Sequence, residues 1–485
     1  MTRPAPQETL PVFPTTTAEA VARVPRALAF RFDILPLSVA DGVLAVAVPD
    51  INDLDVLDQL RGATRLKIAP LAMSRDLIRD RLRSAYGDAS APNVLAQRAA
   101  DSPAVRAVDQ MFARAIAAHA SDIHVEPRSG SGRVRLRIDG ILREIEAVPA
   151  DLFASFVSRI KLISGMDIAD KRQPQDGRST VVFEQRDIDA RVSSVPTIDG
   201  EKLVIRLLDH HSQAPDLARL GMPAALLQTY RGLVQSPWGF VVVAGPTGSG
   251  KTTTLYASLA ELDATSKNVC SVEDPIEMRL RGVAQVQVNA RAAISFPAVL
   301  RAFMRQDPNV IMVGEMRDAE TAAVAVSASL AGQLVFTTLH ANDAPRTVER
   351  LIELGVARHS LAAGLTAILA QRLVRRLCEQ CRTRSAIPDT IQKRLGTAQS
   401  HWHVAGACRT CAQTGYIGRV GVYELLVIDD ELRDAIATGG SSVHLALLGR
   451  QAGYRPMLAD GIDKVLAGET TLDELTRVVA WSETR

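Results

Sequence analysis

The segment 240–252 constrains the fold of this chain most, because an apolar run typical of a buried strand leads there into a glycine-rich turn. The turn reads G-x-x-x-x-G-K-T, and its glycines allow the backbone to bend tightly with N–H groups facing inward. Those groups and the positive end of a following helix form an anion site. Residues 253–262 continue as a helix with Leu255, Leu259 and Leu262 on one side. We therefore predict an α/β domain that binds the phosphates of a nucleotide.

The candidate nucleotide ligands share this loop and the first turn of its helix: Gly245, Pro246, Thr247, Gly248, Ser249, Gly250, Lys251, Thr252 and Thr253. Lys251 can reach the β and γ phosphates, and Thr252 can place its hydroxyl on Mg²⁺. The alternative is a glycine-rich turn that matches by chance, but strand, loop and helix are all present here. The expected cofactors of this site are ATP and Mg²⁺.

Two further apolar strands end in acidic residues, which the chemistry of such a site requires. A nucleoside triphosphatase needs a carboxylate at the end of a neighbouring strand to hold Mg²⁺ and its water. The segment 310–315 is an apolar strand that ends in Glu315, and the segment 269–274 is another, which ends in Glu273 and Asp274. We assign Glu315 to the Mg²⁺ shell and Glu273 to activation of the attacking water, with Glu277 as the alternative for the second role. Without a phosphate loop beside them, these acids would read as solvated charges at strand ends.

The composition excludes several classes of protein. The chain has 485 residues, enough for about three domains. Lys plus Arg number 56 and Asp plus Glu 54, so the formal charge of +2 gives no global field that attracts DNA or an anionic membrane. The N-terminus lacks the apolar segment of a signal peptide, and no apolar run reaches the roughly 18 residues of a membrane-spanning helix. We expect a cytoplasmic protein with no nucleic acid partner.

Composition shifts and turn signals divide the chain into six segments. The small α/β unit at the N-terminus carries no catalytic pattern and is typical of a docking module. The alternating segment 133–138 and the following Asp139-Gly140 turn predict a hairpin in the second domain. The expected segments are a docking domain (1–88), a linker (89–101), a second α/β domain (102–214), an ATPase core (215–376), a cysteine lobe (377–414) and a mainly helical C-terminal region (415–485).

Four of the five cysteines form two C-x-x-C pairs. The four candidate ligands are Cys378, Cys381, Cys408 and Cys411. Each pair can fold into a tight knuckle, and two knuckles supply a tetrahedral site for Zn²⁺. Disulfides are the alternative, and the cytosol disfavours them. His401 and His403 lie nearby but exceed a filled shell of four thiolates, and Cys270 fits the core of a strand.

Several stretches of the chain together resemble a known family. GPTGSGKTTTLYA, VEDPIE, RQDPNVIMVGEMRD and TTLHANDA follow one another in this order. In order and spacing they resemble the Walker A, Asp box, Walker B and His box of the secretion ATPase superfamily, which drives type II secretion and type IV pili. SDIHVEP, VRLRIDG, RLVRRLC and GRVGVYELL match as well. The resemblance covers nearly the whole chain from about residue 102 and, more loosely, the N-terminal unit.

The resemblance implies a homo-hexameric ring of RecA-like ATPase domains, each preceded by a PAS-like domain. It implies that His340, in the TLH stretch, contacts or senses the γ-phosphate. It also implies that Arg135 and Arg137 of the PAS-like domain reach a nucleotide in trans, where an arginine neutralises developing charge. Taken alone, His340 reads as a polar strand-end residue and the alternating arginines as a solvated strand face.

The resemblance also implies a place within the superfamily. The cysteine pairs are similar to those of type II secretion and pilus-assembly ATPases, whereas retraction motors lack them. The implied function is ATP hydrolysis that powers pseudopilus assembly and protein export by type II secretion. The implied partners are further copies of the chain, an inner-membrane adaptor bound by the N-terminal domain, and an inner-membrane platform protein. The chain would then lie in the cytoplasm and reach the inner membrane only through these partners.

Two positions depart from the family pattern. The family's usual T-G-H-L is Ala331-Gly332-Gln333-Leu334 here, and Gln333 can form hydrogen bonds but cannot titrate. A further arginine expected after the LRE stretch is not evident, and Ala150 stands near that position. Both departures concern the trans-acting part of the site rather than the phosphate loop.

Three alternatives remain at this point. A type IV pilus assembly ATPase shares every one of these sites. A RecA-like DNA translocase is disfavoured by the balanced charge and by the lack of a basic and aromatic stripe. A scaffold that binds nucleotide without hydrolysing it is disfavoured by the presence of Glu273 and Glu315.

Overall fold

The computed structural model describes residues 16–86, 102–208 and 215–481, apart from positions 41, 52, 65, 130, 185, 290 and 291. Contacts within the chain divide it between Ser102 and Pro103 into two compact units. The linker expected at 89–101 lies outside the described residues.

The described part of the N-terminal unit combines a three-stranded sheet with short helices. Its elements are α1 (Ala18–Arg23), α2 (Arg26–Arg31), β1 (Leu35–Ala40), β2 (Val43–Val48), α3 (Leu54–Thr64), β3 (Lys67–Ala72) and α4 (Arg75–Tyr86). The central strand β2 pairs antiparallel with β1 and parallel with β3. Leu37, Leu44 and Leu82 are buried together in its core. This is a small α/β unit, as the sequence pattern predicts.

The second unit begins with a six-stranded antiparallel sheet in the order β6-β5-β4-β9-β8-β7. Its elements are α5 (Pro103–Ala117), β4 (Asp122–Arg128), β5 (Ser131–Ile138), β6 (Ile141–Pro149), α6 (Ala150–Ile163), β7 (Gln175–Phe183), β8 (Arg186–Thr197) and β9 (Gly200–Leu208). Val134 and Leu136 of β5 pack with α5 and α6 in one core. Because side chains alternate along a strand, the arginines of β5 lie on the opposite face. This domain occupies the position of the expected PAS-like domain.

The largest sheet has seven strands in the order β12-β11-β13-β14-β10-β15-β18. Its strands are β10 (Gly239–Ala244), β11 (Val269–Glu273), β12 (Val283–Gln287), β13 (Val310–Val313), β14 (Leu334–Leu339), β15 (Leu365–Leu377) and β18 (Tyr416–Val427). The first six strands in this order run parallel. Strands β10, β11, β13 and β14 are buried along their whole length, as expected for a parallel sheet covered on both faces.

Helices pack on both faces of this sheet, which we call the ATPase sheet. They include α7 (Ala224–Val234), α8 (Lys251–Ala260), α9 (Phe296–Phe303), α10 (Ala319–Leu330), α11 (Ala344–Glu353) and α12 (Arg358–Gly364). Val241 and Val243 enter one core, whereas Phe240 and Val242 enter the other, because successive strand residues point to opposite faces. This two-sided burial fixes the strand order that positions the site.

A small lobe lies between β15 and β18, and a helical segment follows β18. The lobe contains α13 (Asp389–Leu395) and the paired strands β16 (Thr383–Ala386) and β17 (His401–Val404). The segment after β18 contains α14 (Asp430–Thr438), α15 (Ser442–Gln451), α16 (Met457–Leu466) and α17 (Leu472–Val478). None of the helices in the described residues is long and apolar enough to cross a membrane.

Strand β18 extends the ATPase sheet beyond the segment 215–376 in which we expected the ATPase core. It pairs antiparallel with β15 from Ala367 opposite Val427 to Leu377 opposite Tyr416. The free backbone groups along β15 are thus satisfied by a strand that follows the cysteine lobe. The ATPase sheet therefore includes residues on both sides of that lobe. The rest of the segment 415–485 that the structure describes contains four helices.

Candidate functional site

The phosphate loop joins the interior strand β10 to helix α8, which begins at Lys251. Gly250 has φ of 86°, a conformation that favours glycine. At Gly245 a Cβ would stand 2.6 Å from the carbonyl oxygen of Gln371, so β15 leaves no room for a side chain there. The loop 246–248 is exposed, whereas Lys251 is only 9% exposed. The predicted strand, loop and helix are all present.

The Lys251 side chain folds back over its own loop. Its Nζ donates hydrogen bonds to the carbonyl oxygens of Gly245, at 2.9 Å, and Pro246, at 3.0 Å. Burial lowers the pKa of Lys251 to about 8, Glu315 opposes this shift, and Arg372 adds to it. Thr252, in the first turn of α8, is half-buried. The ammonium group thus lies inside the loop that would receive the phosphates.

Three site residues meet because their strands are neighbours in the ATPase sheet. Lys251 follows β10, Glu315 follows β13 and His340 directly follows β14, which lies between the other two. Partial burial lowers the pKa of His340, as does Lys251, while Glu315 raises it and Arg317 lowers it. Glu315 forms an ion pair with Arg317 and its side chain is 19% exposed. The structure therefore brings Lys251, Glu315 and His340 to one edge of the sheet.

Glu273 lies on β11, next to β13, but its carboxylate is enclosed. It is 2% exposed and accepts hydrogen bonds from the Tyr256 hydroxyl at 2.5 Å, the Ser271 hydroxyl at 2.7 Å and the Gln285 amide at 3.0 Å. Burial raises the pKa of Tyr256, and the adjacent Glu273 raises it further. Nothing in the sequence pattern signals this enclosure, because Tyr256 and Gln285 reach Glu273 only through packing.

The alternative acid, Glu277, is connected to the same tyrosine. Its backbone N–H donates to the Tyr256 hydroxyl at 3.0 Å. Its charge, with that of Asp274, acts on Arg191 of the six-stranded sheet. Asp274 also lies 3.7 Å from Arg317. The segment after β11 therefore faces cationic groups from the six-stranded sheet and from the loop that follows β13.

Arg135 and Arg137 are paired within their own sheet. Arg135 contacts Glu126 at 2.8 Å, and Arg137 contacts Asp122 at 3.4 Å. Three further cations bind the same two acids: Arg133 and Lys202 on Glu126, and Arg206 on Asp122. Burial raises the pKa of Glu126, but hydrogen bonds from Arg135, Lys202 and Arg133 hold it at about 2. We call this surface the arginine face.

The two departures from the family pattern lie away from the phosphate loop. Gln333 precedes β14, whereas His340 follows it, so the two lie at opposite edges of the ATPase sheet, roughly 20 Å apart at 3.3 Å per residue. Ala150 is the exposed first residue of α6. Neither residue belongs to the group around Lys251.

The four predicted cysteines form one cluster. Their sulfur atoms lie within 4.8 Å of one another, with 3.8 Å between Cys378 and Cys408 and 3.7 Å between Cys381 and Cys411. Thiolates about 2.3 Å from a tetrahedral Zn²⁺ stand about 3.8 Å apart, whereas disulfide sulfurs lie at about 2.05 Å. The donor set and its spacing therefore fit zinc.

A glycine loop after an interior parallel strand, with acids at the ends of other strands of the same sheet, defines a P-loop nucleotide-binding protein. Residues 97–477 match the family described as type II/IV secretion system protein, and residues 14–92 match the MshEN domain. The chain belongs to the type II/IV secretion system protein family. The predicted resemblance and fold class are thus confirmed.

Individual relatives agree with this membership. The chain is 47% identical to the type II secretion system protein HxcR of Pseudomonas aeruginosa, over 78% of this chain and 77% of that protein. It is 37% identical to the type IV pilus assembly ATPase PilB of Myxococcus xanthus, over 94% and 86%. The solved structure of the ATPase DotB of Legionella pneumophila has a TM-score of 0.58 at 21% identity, over 77% and 95%. That structure shares the fold.

Proposed function

We propose that this chain hydrolyses ATP to power pseudopilus assembly and protein export by the type II secretion system. The observation that carries this proposal is the convergence of Lys251, Glu315 and His340 beside the phosphate loop, on three neighbouring strands. The 47% identity to a type II secretion protein over 78% of this chain supports secretion, and the pilus assembly ATPase matches 94% of the chain at 37% identity.

The phosphate loop would bind the triphosphate through its backbone N–H groups and the start of α8. Lys251 would leave its loop carbonyls and donate to the β and γ phosphates. Thr252 and Glu315 would hold Mg²⁺, for which hydroxyl and carboxylate oxygens are suitable ligands. Bound Mg²⁺ neutralises phosphate charge. The lowered pKa of His340 favours its neutral form, whose ring N–H can donate a hydrogen bond to the γ-phosphate.

For water activation we keep Glu273 as the first proposal, with Glu277 as the alternative. The position of Glu273 at the carboxyl edge of the sheet supports this role. Its carboxylate must first release the hydrogen bond that it accepts from Tyr256. Two variants separate these two acids: Glu273→Gln and Glu277→Gln. Single-turnover hydrolysis should be lost with Glu273→Gln and kept with Glu277→Gln. Retained single turnover in Glu273→Gln would refute the assignment.

We further propose that Arg135 and Arg137 act on the nucleotide of a neighbouring subunit in a homo-hexamer. The support is the excess positive charge of the arginine face, where five cations share two carboxylates. The N-terminal unit would bind the inner-membrane adaptor, and the ring would act on the platform protein from the cytoplasm.

The cysteine cluster would hold Zn²⁺ as a structural ion that joins the two ends of the lobe. Elemental analysis of protein purified without chelator should find one zinc per chain. Cys378→Ser should lose it, whereas the matched control Cys270→Ser, a buried strand residue, should keep it. Zinc-free wild-type protein would contradict the proposal.

The secretion proposal is tested by complementation. In a strain that lacks its own copy, the wild-type gene should restore export of secreted proteins to the medium, and Lys251→Ala should not. Restored pilus assembly without restored export would favour the pilus alternative. Turnover that requires DNA would favour a translocase.

A further inference from the structure

Strand β15 touches the phosphate loop through Gln371, a residue to which sequence reasoning assigned no role. Gln371 is 1% exposed. Its side-chain amide donates to the Ser249 carbonyl oxygen at 2.7 Å, and its side-chain oxygen accepts from the Thr254 hydroxyl at 2.8 Å. One side chain therefore holds both the phosphate loop and the first turns of α8.

The next residue, Arg372, connects the same strand to the loop that carries His340. Its guanidinium donates to the Gln371 carbonyl oxygen at 3.1 Å and to the Asn342 carbonyl oxygen at 2.8 Å. Because neighbouring strand residues point to opposite faces, β15 holds the phosphate loop on one side and the loop 340–343 on the other. Arg372 is also close enough to Lys251 to lower the pKa of that lysine.

The far end of the loop 340–343 is fixed from β18. Glu424 lies opposite Ala370 and is 3% exposed. Its carboxylate accepts from the backbone N–H of Ala344 at 2.6 Å and from that of Met457, the first residue of α16, at 2.7 Å. The loop 340–343 is therefore held at two points, by Arg372 at the Asn342 carbonyl oxygen and by Glu424 just beyond its far end.

We propose that Gln371 and Arg372 are positioning residues for hydrolysis, which set the separation between the phosphate loop and the His340 loop. Neither residue needs to touch the nucleotide. Gln371 holds the loop that binds phosphates, whereas Arg372 holds the loop that carries His340. The inference rests on the proposed ATPase function and adds to it the part that aligns the two loops.

The test compares turnover and nucleotide affinity in the full-length chain. Misplacement of a reacting group by about 1 Å can cost about 10²-fold in rate. We expect Arg372→Gln to lower kcat about 10- to 100-fold, with little change in the Kd for ATP. Arg372→Lys keeps the charge but replaces the planar guanidinium fork, which spans the two carbonyl oxygens from separate nitrogens, with a single nitrogen, so it should restore kcat in part. Gln371→Ala should instead weaken ATP binding.

The matched control is Arg376→Gln, because Arg376 lies on the same strand and pairs with the exposed Glu379. It should behave as wild type. Thermal unfolding of each variant checks the fold. Wild-type kcat in Arg372→Gln would overturn the inference, as would an equal loss of kcat, affinity and thermal stability, which marks a purely structural role. Absence of turnover in the wild-type chain would instead refute the proposed function.

Discussion

The ATPase sheet and the six-stranded sheet both present charged side chains, but they hold them differently. At the carboxyl edge of the ATPase sheet, Lys251 and Glu273 are buried, and each is held by hydrogen bonds, which Lys251 donates to loop carbonyls and Glu273 accepts from neighbouring side chains. On the arginine face, the side chains of Arg135 and Arg137 are 25% and 35% exposed and share acids with other cations.

The charged groups of the ATPase sheet therefore resemble a site within one chain, whereas the arginine face resembles one side of an interface with another molecule. Before any ligand arrives, the buried charges of the ATPase sheet are held by partners within the same domain, and Lys251 and Glu273 would exchange those partners when the nucleotide binds. The arginine face keeps an excess of cations over the two acids that pair with them, so it can attract a further anion. A nucleotide held by a neighbouring subunit would supply that anion.

The largest effect should come from the ATPase sheet. Lys251→Ala should reduce ATP turnover by at least about 10³-fold, because a positioned cation is lost from the phosphate site. Steady-state phosphate release measures the effect. Lys393→Ala, an exposed lysine of α13, is the control and should be unchanged. Undiminished turnover in Lys251→Ala would remove the phosphate loop from the mechanism.

The arginine face should show a smaller effect that depends on assembly. Arg135→Ala should lower turnover of the assembled ring by about 10³-fold, the low end for an arginine that acts in trans. The control is Arg128→Ala on the neighbouring strand, an exposed residue paired with Glu144. Activity should be compared at protein concentrations where mass measurement shows rings and single chains. The same loss in single chains would contradict a trans role.

The next prediction concerns the free energy of unfolding and a buried acid that pairs with β15 of the ATPase sheet. Glu474 is 1% exposed at its side chain and pairs with Arg375 and Arg477. Burial raises its pKa, but hydrogen bonds from Arg477 and Arg375 hold it at about 2. Glu474→Gln should lower the unfolding free energy by about 3 kcal/mol, because two arginines lose their anion.

The pH dependence of that loss has a defined sign. Since the folded pKa of Glu474 lies below the usual value of 4.5, its contribution is present above pH 4.5 and is lost as pH falls toward 2. Urea unfolding at pH 7 and pH 3 should therefore show a smaller gap between wild type and Glu474→Gln at pH 3. An equal gap at both values would contradict a charge-based role.

The smallest effect should be the stability change at the arginine face. Glu126→Gln should cost about 1 kcal/mol, because Arg133 keeps Glu144 at 4.0 Å and water compensates for part of the pairing that Arg135 and Lys202 lose. Urea unfolding measures this change, and Glu184→Gln, an exposed acid of the same domain, is the control. If Glu126→Gln lowered the free energy of unfolding as much as Glu474→Gln, the expected difference in stability between the two regions would be wrong.

The sequence could be read furthest where a function lies within a few consecutive residues. The phosphate loop, the acids after apolar strands and the two cysteine pairs each carry most of their geometry locally. Glu273 shows the limit, since its position at a strand end was predictable but its enclosure by Tyr256, Ser271 and Gln285 was not. Alternation predicted the strand that carries Arg135 and Arg137, and the family resemblance implied their role, whereas their partners Asp122 and Glu126 required the sheet register.

The amino-acid sequence by itself determined which chemical groups this protein possesses and the short spacings that make them useful. Only the tertiary structure decided that β18 completes the ATPase sheet and that Gln371 reaches Thr254 and Ser249, across 117 and 122 residues. Contacts over such separations depend on which strands become neighbours. That choice is made by burial of whole faces of the sheet, and no local pattern of residues encodes it.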